Sequence, residues 1–369
     1  MLKVPISGVA SFFEVSRPHV YKAIRDYGIE YKKFTDLSDS RLEEIVTSVK
    51  ENHPRAGEVM LQGHLRAQGL HVQRYRLRTA IHQSDPIGTE ARRRPPIRRR
   101  VYSVPCPNYL WHIDGNHKLI RWRMVLHHAV DGFSRLVVFC RCSTNNRAAT
   151  VLSLYQEAVR QYGRPFRVRT DHGGENVAVW NDMVNAWGEE ARPVVVGSSV
   201  HNQRIERHNR AVNEQVFVGF KEEFYDLERE GILDPLNETD MFCLQYVYLP
   251  RINKRLTEFT DAHNNHVVST ERNNSPAQLL WLNLHLTAFR GGRSSDDAWR
   301  GMNVRHLMSS QTLPHVQVPE IRNPLSHESY LQLQRAVDPL SSTSGKALYR
   351  HAVEIVGGMM QMQQQNSTE

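Results

Sequence analysis

The sequence predicts an α/β protein, in which a mixed-sheet core follows an all-α amino-terminal region. Up to residue 107 the apolar residues have helical spacing, whereas from residue 108 short apolar runs of strand type alternate with helical patterns. The chain has 369 residues, 40% of them hydrophobic, which supplies enough apolar material for roughly two or three folded domains. A wholly disordered chain is excluded.

The positive charge is confined to one end of the chain. Residues 1–100 contain 19 Lys and Arg against 11 Asp and Glu, a net charge of +8, and the rest of the chain contains 28 of each. This asymmetry is typical of a segment that binds nucleic acid or another anionic surface, attached to a neutral body. A basic but merely soluble domain is the alternative.

Membrane and disulfide classes are not favoured. No apolar run approaches the ~18 residues that a membrane span requires, and residues 1–5 lack the apolar stretch of a secretory signal. We therefore expect an intracellular protein with no membrane partner, nuclear if the organism is eukaryotic. The four cysteines form no CxxC pair, so we expect them to be reduced packing residues.

Residues 1–36 resemble a helix-turn-helix. A short turn at residues 14–16 separates two helical patterns, Ser16 is a suitable N-cap for the second helix, and Gly28 ends it. Because the second helix of such a motif lies in the major groove of DNA, its outward residues should contact DNA. These residues are Arg17, Lys22 and Arg25. A plain helical hairpin is the alternative.

Residues 37–90 predict three more helices, which we interpret as a second small DNA-binding unit. The first helix begins after Ser38, and the last carries Arg74, Arg76 and Arg78.

A basic linker follows over residues 91–107. Its two adjacent prolines exclude a regular helix, so we expect an extended segment that follows a phosphate backbone or acts as a nuclear-import signal. Its arginines predicted to bind DNA are Arg92, Arg93, Arg94, Arg98, Arg99 and Arg100. A solvated spacer is the alternative.

An α/β core is predicted over residues 108–225. The expected strands cover residues 110–115, 122–130, 136–142, 166–170 and 193–196. The expected helices are residues 148–162, a short helix that follows Gly173-Gly174 and ends near Trp187, and a long helix that begins near His201. Asp131-Gly132 predicts a hairpin turn. The order βββαβαβα resembles the ribonuclease-H-like fold. Residues 226–290 should be a helical extension, and residues 291–369 a tail that is partly disordered, above all from Met359.

Three carboxylates lie where phosphodiester chemistry could use them. Asp114 is in the first core strand, Asp171 ends the fourth, and Glu206 lies on the long helix. Two Mg²⁺ ions about 3.5–4 Å apart can neutralise the attacking and leaving oxygens of an in-line displacement, and Mg²⁺ takes oxygen ligands. We assign Asp131 instead to the hairpin turn and Glu175 to a helix start, where the helix dipole favours a carboxylate. Structural salt bridges are the alternative use of the three acids.

Four motifs resemble the retroviral-type integrase core of the DDE superfamily of integrases and transposases. They are Trp111–Gly115, Val130–Arg135, Arg169–Asn176 and Asn202–Asn209, within a resemblance that spans roughly residues 105–285. It implies that Asp114, Asp171 and Glu206 are catalytic and bind Mg²⁺ or Mn²⁺. It also implies strand transfer between double-stranded element ends and target DNA by a homo-oligomer. The family's amino-terminal zinc module and its small β-barrel after the core are not recognisable here.

Two further residues are predicted to contact DNA near these acids. Asn202 and Arg210 lie four residues before and after Glu206, so the three share one helix face. We expect Asn202 to orient the nucleophile or a substrate phosphate, and Arg210 to contact the DNA backbone. Two other functions stay open: a domesticated DNA-binding protein without strand transfer, and a nuclease on the same fold.

Overall fold

The computed structural model describes residues 5–29, 34–84, 104–197, 203–289, 313 and 315–366. The core sheet has five strands: β1 Leu110–Asn116, β2 Val125–Asp131, β3 Val137–Ser143, β4 Arg167–Thr170 and β5 Val194–Val196. Their order across the sheet is β3-β2-β1-β4-β5. The pairs β1–β2 and β2–β3 are antiparallel, and the pairs β1–β4 and β4–β5 are parallel. The mixed sheet predicted from the sequence is confirmed.

Helices precede, cover and follow this sheet. The amino-terminal ones are α1 Ile6–Phe12, α2 Arg17–Asp26, α3 Asp39–Asn52, α4 Glu58–Ala67 and α5 Arg74–Ser84. Those of the core and its extension are α6 Ala148–Tyr162, α7 Val177–Trp187, α8 Gln203–Val212, α9 Val218–Arg229, α10 Glu238–Asn265, α11 Pro276–Asn283 and α12 His285–Phe289. The last two are α13 His327–Ala336 and α14 Gly345–Asn366. None of the helices in the described parts of the chain is long and apolar enough to cross a membrane.

The turn between β2 and β3 is fixed by a buried carboxylate. Asp131 is fully buried and accepts hydrogen bonds from the backbone N–H of Asn108 (2.9 Å) and from the N–H and hydroxyl of Ser134 (2.7 and 2.6 Å). Burial raises the pKa of Asp131 to about 6, and these hydrogen bonds act against that rise. Asp131 is therefore a structural residue of the hairpin, as the sequence indicates.

Helices α3, α4 and α5 form a unit that packs on the core. Gly63 of α4 lies against the backbone of α10 at Ala262, and His53 lies 3.2 Å from Glu258 of α10. The unit's own apolar cluster includes Leu42, Leu61 and Leu77. The unit is thus one layer of the folded body.

The charge of this unit does not resemble that of a phosphate-binding surface. Residues 34–84 contain seven Lys and Arg and six Asp and Glu, a net charge of +1. Four of those arginines are ion-paired within the unit: Arg41 with Glu44, Arg74 and Arg78 with Glu58, and Arg76 with Asp39. The positive excess of the first 100 residues therefore lies in two segments. Residues 1–33 contain six basic and three acidic residues, and residues 85–100 contain six basic and two acidic residues.

The end of the chain is helical where the sequence predicts disorder. Helix α14 continues through the Gln-rich segment to Asn366, and Tyr349, Ala352 and Val356 are fully buried in the same cluster as Leu256 of α10. The expectation of disorder from Met359 is wrong because this apolar face stabilises a helix whose other face is polar. Residues 290–312, the first part of the predicted tail, lie outside the described residues.

The cysteines are packing residues, as predicted. All four are reduced thiols, and Cys106, Cys142 and Cys243 are buried. Burial raises the pKa of the Cys243 thiol to about 12, so it stays protonated.

Candidate active site

Asp114 lies within β1, and Asp171 directly follows the neighbouring parallel strand β4. The ladder between β1 and β4 pairs Trp111 with Val168 and His112 with Arg169, so two residues further along each strand Asp114 is level with Asp171. Side chains at matched positions of paired strands lie on the same side of the sheet. The sheet therefore brings together two of the three predicted acids.

The pKa of Asp114 reflects the proximity of Asp171. Burial and the negative charge of Asp171 raise the pKa of Asp114 to about 7, and the charge of Glu175 adds to the rise. Hydrogen bonds from the Asn209 amide (2.6 Å) and the Gly115 backbone N–H (3.0 Å) act in the opposite direction. A divalent cation would relieve the repulsion between these carboxylates, and their oxygens are the donors that Mg²⁺ prefers.

An asparagine network connects β1 to the helix above it. The Asn116 amide donates to the side-chain oxygens of Asn209 (2.8 Å) and Asn213 (3.0 Å), while Asn209 donates to Asp114. Asn213 begins a π-helical turn over Asn213–Phe217, between α8 and α9. Such turns are frequent at functional sites because they re-aim the side chains around them. Here the network fixes one oxygen of Asp114.

Glu206 lies beside this network and faces solvent. The buried face of α8 carries Ile205, His208 and Val212, with Asn209 half-buried, whereas Glu206 and Arg210 are exposed. Among the residues that the structure describes, no three His, Cys, Asp or Glu side chains are gathered as a metal site. Asp114 and Asp171 thus have oxygen ligands and positions that suit a metal ion. Glu206 lies three residues before Asn209 on α8, and its carboxylate is exposed.

A histidine pair fixes α8 to the sheet. His128 of β2 and His208 of α8 are buried, stack with 4.9 Å between ring centroids, and share a hydrogen bond of 2.8 Å between their Nδ1 atoms. Burial lowers the pKa of His128 to about 3 and that of His208 well below its usual value, so both rings are neutral at pH 7. This pair sets the height of α8, and with it of Glu206 and Asn209, above β1.

The loop after β4 is held by its own side chains. Asp171 Oδ1 accepts from the backbone N–H of Gly173 and from the Asn176 amide, each at 3.0 Å. Glu175 is only 6% exposed, and its charge reaches Asp114. As the sequence indicates, Glu175 lies at a helix start, in the 3-10 turn Gly174–Asn176 that leads into α7, but its carboxylate is buried and raises the pKa of Asp114.

The predicted DNA contacts are divided between described and undescribed parts of the chain. Arg17, Lys22 and Arg25 are exposed on α2, whose N-cap Ser16 accepts from the His19 backbone N–H as predicted. The predicted contacts outside the described residues are Asn202 and the linker arginines Arg92, Arg93, Arg94, Arg98, Arg99 and Arg100. All of these DNA contacts stay predictions.

The chain matches one family model and is similar to several solved structures. The family model "Integrase core domain" matches residues 101–293. A chain in the simian T-cell lymphotropic virus intasome in complex with PP2A regulatory subunit B56 gamma is 16% identical over 64% of this chain and 72% of that chain, with a TM-score of 0.41.

Two isolated catalytic cores are also similar. The HTLV-2 integrase catalytic core domain in complex with magnesium, in its trimeric form, is 15% identical over 47% of this chain and 97% of that chain (TM-score 0.31). The BIV integrase catalytic core domain is 14% identical over 49% and 99% (TM-score 0.32). No curated protein matches the chain.

Proposed function

This chain belongs to the integrase core domain family, and from that premise we propose that it catalyses DNA strand transfer. Its five-stranded mixed sheet with flanking helices is the ribonuclease-H-like fold that the sequence predicts. The observation that carries the proposal is the position of Asp114 in β1 near Asp171, which directly follows the parallel strand β4. Two adjacent carboxylates with a raised Asp114 pKa suit a cation-dependent phosphoryl transfer.

In this proposal Asp114, Asp171 and Glu206 bind two Mg²⁺ or Mn²⁺ ions. The bound ions would supply charge neutralisation at the attacking and leaving oxygens. Asn209 holds Asp114 in a fixed orientation, and the His128–His208 pair keeps α8 at the height that Glu206 needs to turn toward the aspartates. Water first attacks a phosphodiester and releases a 3′-hydroxyl, which then attacks a phosphodiester of the target and expels its 3′-oxygen.

The DNA partner is engaged by the basic segments outside the core. We propose that α2 reads base edges through Arg17, Lys22 and Arg25, and that the arginines of residues 92–100 contact phosphates. Asn202 and Arg210 then meet the strand that reacts. Because two DNA ends are joined to one target, we propose a homo-oligomer on DNA, located in the nucleus if the organism is eukaryotic.

Joining, as opposed to cutting alone, tests this function. The full-length protein is incubated with Mg²⁺ or Mn²⁺ and a branched oligonucleotide that mimics a strand-transfer product, as well as with duplexes that carry candidate element ends. Strand transfer predicts resealed target DNA from the branched substrate and longer, joined strands from the duplexes. Cleaved strands without joined ones would indicate a nuclease, and binding without either product would indicate a DNA-binding protein that has lost the activity.

A further inference from the structure

Glu175 occupies an unusual position for a carboxylate. Its side chain is buried against the backbone of β1, so that a Cβ added to Gly115 would lie 3.7 Å from its Oε1 atom. It also lies beneath its own loop, because a Cβ added to Gly173 would come within 2.7 Å of its Oε2 atom. A buried carboxylate next to other carboxylates is costly unless a partner compensates its charge.

A histidine from beyond the residues that match the family lies against the Glu175 carboxylate. His315 Nδ1 lies 3.4 Å from Glu175 Oε2, and its Cβ would be 3.3 Å from a Cβ added to Gly174. The residues matched to the integrase core end at 293. The structure thus brings a side chain from the carboxyl-terminal part of the chain onto the loop that carries Asp171.

His315 belongs to an irregular segment that is anchored along its length; we name residues 313 and 315–325 the strap. Leu313 packs on the core cluster that contains Val179, and the Asn146 amide donates to the Val316 carbonyl at 3.1 Å. Farther along, Glu320 is ion-paired with Arg147, and Leu325 is buried in the cluster of α10 and α14. The strap therefore connects the loop after β4 with the carboxyl-terminal helices.

We propose that His315 is a positioning residue of the active site, which acts by holding the Glu175 carboxylate and, through it, the loop of residues 171–176. The expected effect of His315 on the reaction rate rests on the proposed function, whereas its expected effect on the order of the loop does not. Gly173 is part of the same arrangement because only a residue without a Cβ leaves room for the Glu175 carboxylate beneath the loop.

The first experiment measures strand transfer by the full-length protein and two single variants. His315→Ala should lower the maximal rate about tenfold or more, the usual effect of removing a partner behind a reacting group, and should leave the half-saturating DNA concentration unchanged. Glu320→Gln, which breaks an ion pair in the same strap away from the loop, is the matched control and should behave like the wild type. A His315→Ala protein with wild-type rate would overturn the proposal.

The second experiment is independent of activity. Amide hydrogen exchange at residues 173–177 should become faster in His315→Ala and in Gly173→Ala, which displaces only the flexible end of Glu175, and should be unchanged in Glu320→Gln. Adding His315→Ala to a Glu175→Gln protein should produce no further change, because His315 acts through Glu175. Unchanged exchange in His315→Ala, or a full additional effect in the double variant, would refute the positioning role. An inactive wild type whose exchange follows the prediction would refute the proposed function alone.

Discussion

The contact between α4 and α10 makes Gly63→Ala a sensitive probe of how the amino-terminal unit is attached to the core. A Cβ at position 63 would lie 2.9 Å from the carbonyl carbon of Ala262, closer still to its oxygen, and 3.2 Å from His266 Cβ. Side-chain carbon atoms essentially never approach within 3.0 Å, and the obstructing atoms at Ala262 are helix backbone that cannot swing aside. The two helices must therefore move apart.

The expected cost follows from two opposing effects. Overpacking at a close contact typically costs 1–3 kcal/mol, while replacing a helical glycine by alanine stabilises by roughly 0.5–1 kcal/mol. Gly219 in α9 is the matched control, because it is exposed and an added Cβ there meets nothing within 4 Å. Gly219→Ala should therefore raise the free energy of unfolding by about 0.5–1 kcal/mol, whereas Gly63→Ala should lower it by roughly 1 kcal/mol, and by at most about 2.5 kcal/mol.

Urea unfolding of the two variants and the wild type, followed by circular dichroism, measures both changes. The account predicts midpoints on opposite sides of the wild-type value. If Gly63→Ala is as stable as Gly219→Ala, then α4 does not pack on α10 as described, and the unit of residues 34–84 is free of the core.

Three more outcomes are expected. Burial lowers the pKa of His64 to about 4, so the contribution of His64 to stability is complete above the unfolded pKa near 6.5 and decreases as the pH falls below that value. His64 alone should lower the free energy of unfolding by about 2 kcal/mol at pH 5, and urea titrations of a His64→Gln protein should show a shallower loss of stability with falling pH. Asn209→Ala should reduce the rate of strand transfer about 10- to 100-fold and retain DNA affinity, because the substitution removes the hydrogen bond that orients one oxygen of Asp114. A variant as fast as the wild type would show that Asn209 is not part of the site. In binding-site selection, the double variant Arg17→Ala, Lys22→Ala should lose its preference among DNA sequences, whereas neutralising the arginines of residues 92–100 should weaken binding to all sequences about equally. The reverse result would assign base readout to residues 92–100 and phosphate contacts to α2.

The order of the core elements was predictable because each is encoded locally. Short apolar runs marked the strands, and Asp131-Gly132 marked the hairpin between β2 and β3. Asp114 and Asp171 come together because β1, which contains Asp114, and β4, which precedes Asp171, are parallel neighbours in the sheet.

What the sequence did not predict depends on distant parts of the chain. Helix α14 looked disordered because its composition is Gln-rich, and its stability comes from packing on α10, about 100 residues earlier along the chain. The inward position of Glu175 and its contact with His315 depend likewise on a segment about 140 residues later. Asn209 had a local signal, its spacing of three residues after Glu206, but only the structure shows that its amide reaches Asp114.

The central claim is that Asp114, Asp171 and Glu206 together carry strand transfer. Its most direct test is the strand-transfer rate of Asp114→Asn, Asp171→Asn and Glu206→Gln, with Glu190→Gln, a change at an exposed acid, as the control. Each substitution keeps the shape of the side chain and removes one negative charge. The account predicts loss of joining in all three variants, with thermal unfolding and DNA binding close to wild type, and full activity in the control. Full activity in any of the three would remove that residue from the site, and full activity in Glu206→Gln would leave the two aspartates without their predicted third acid.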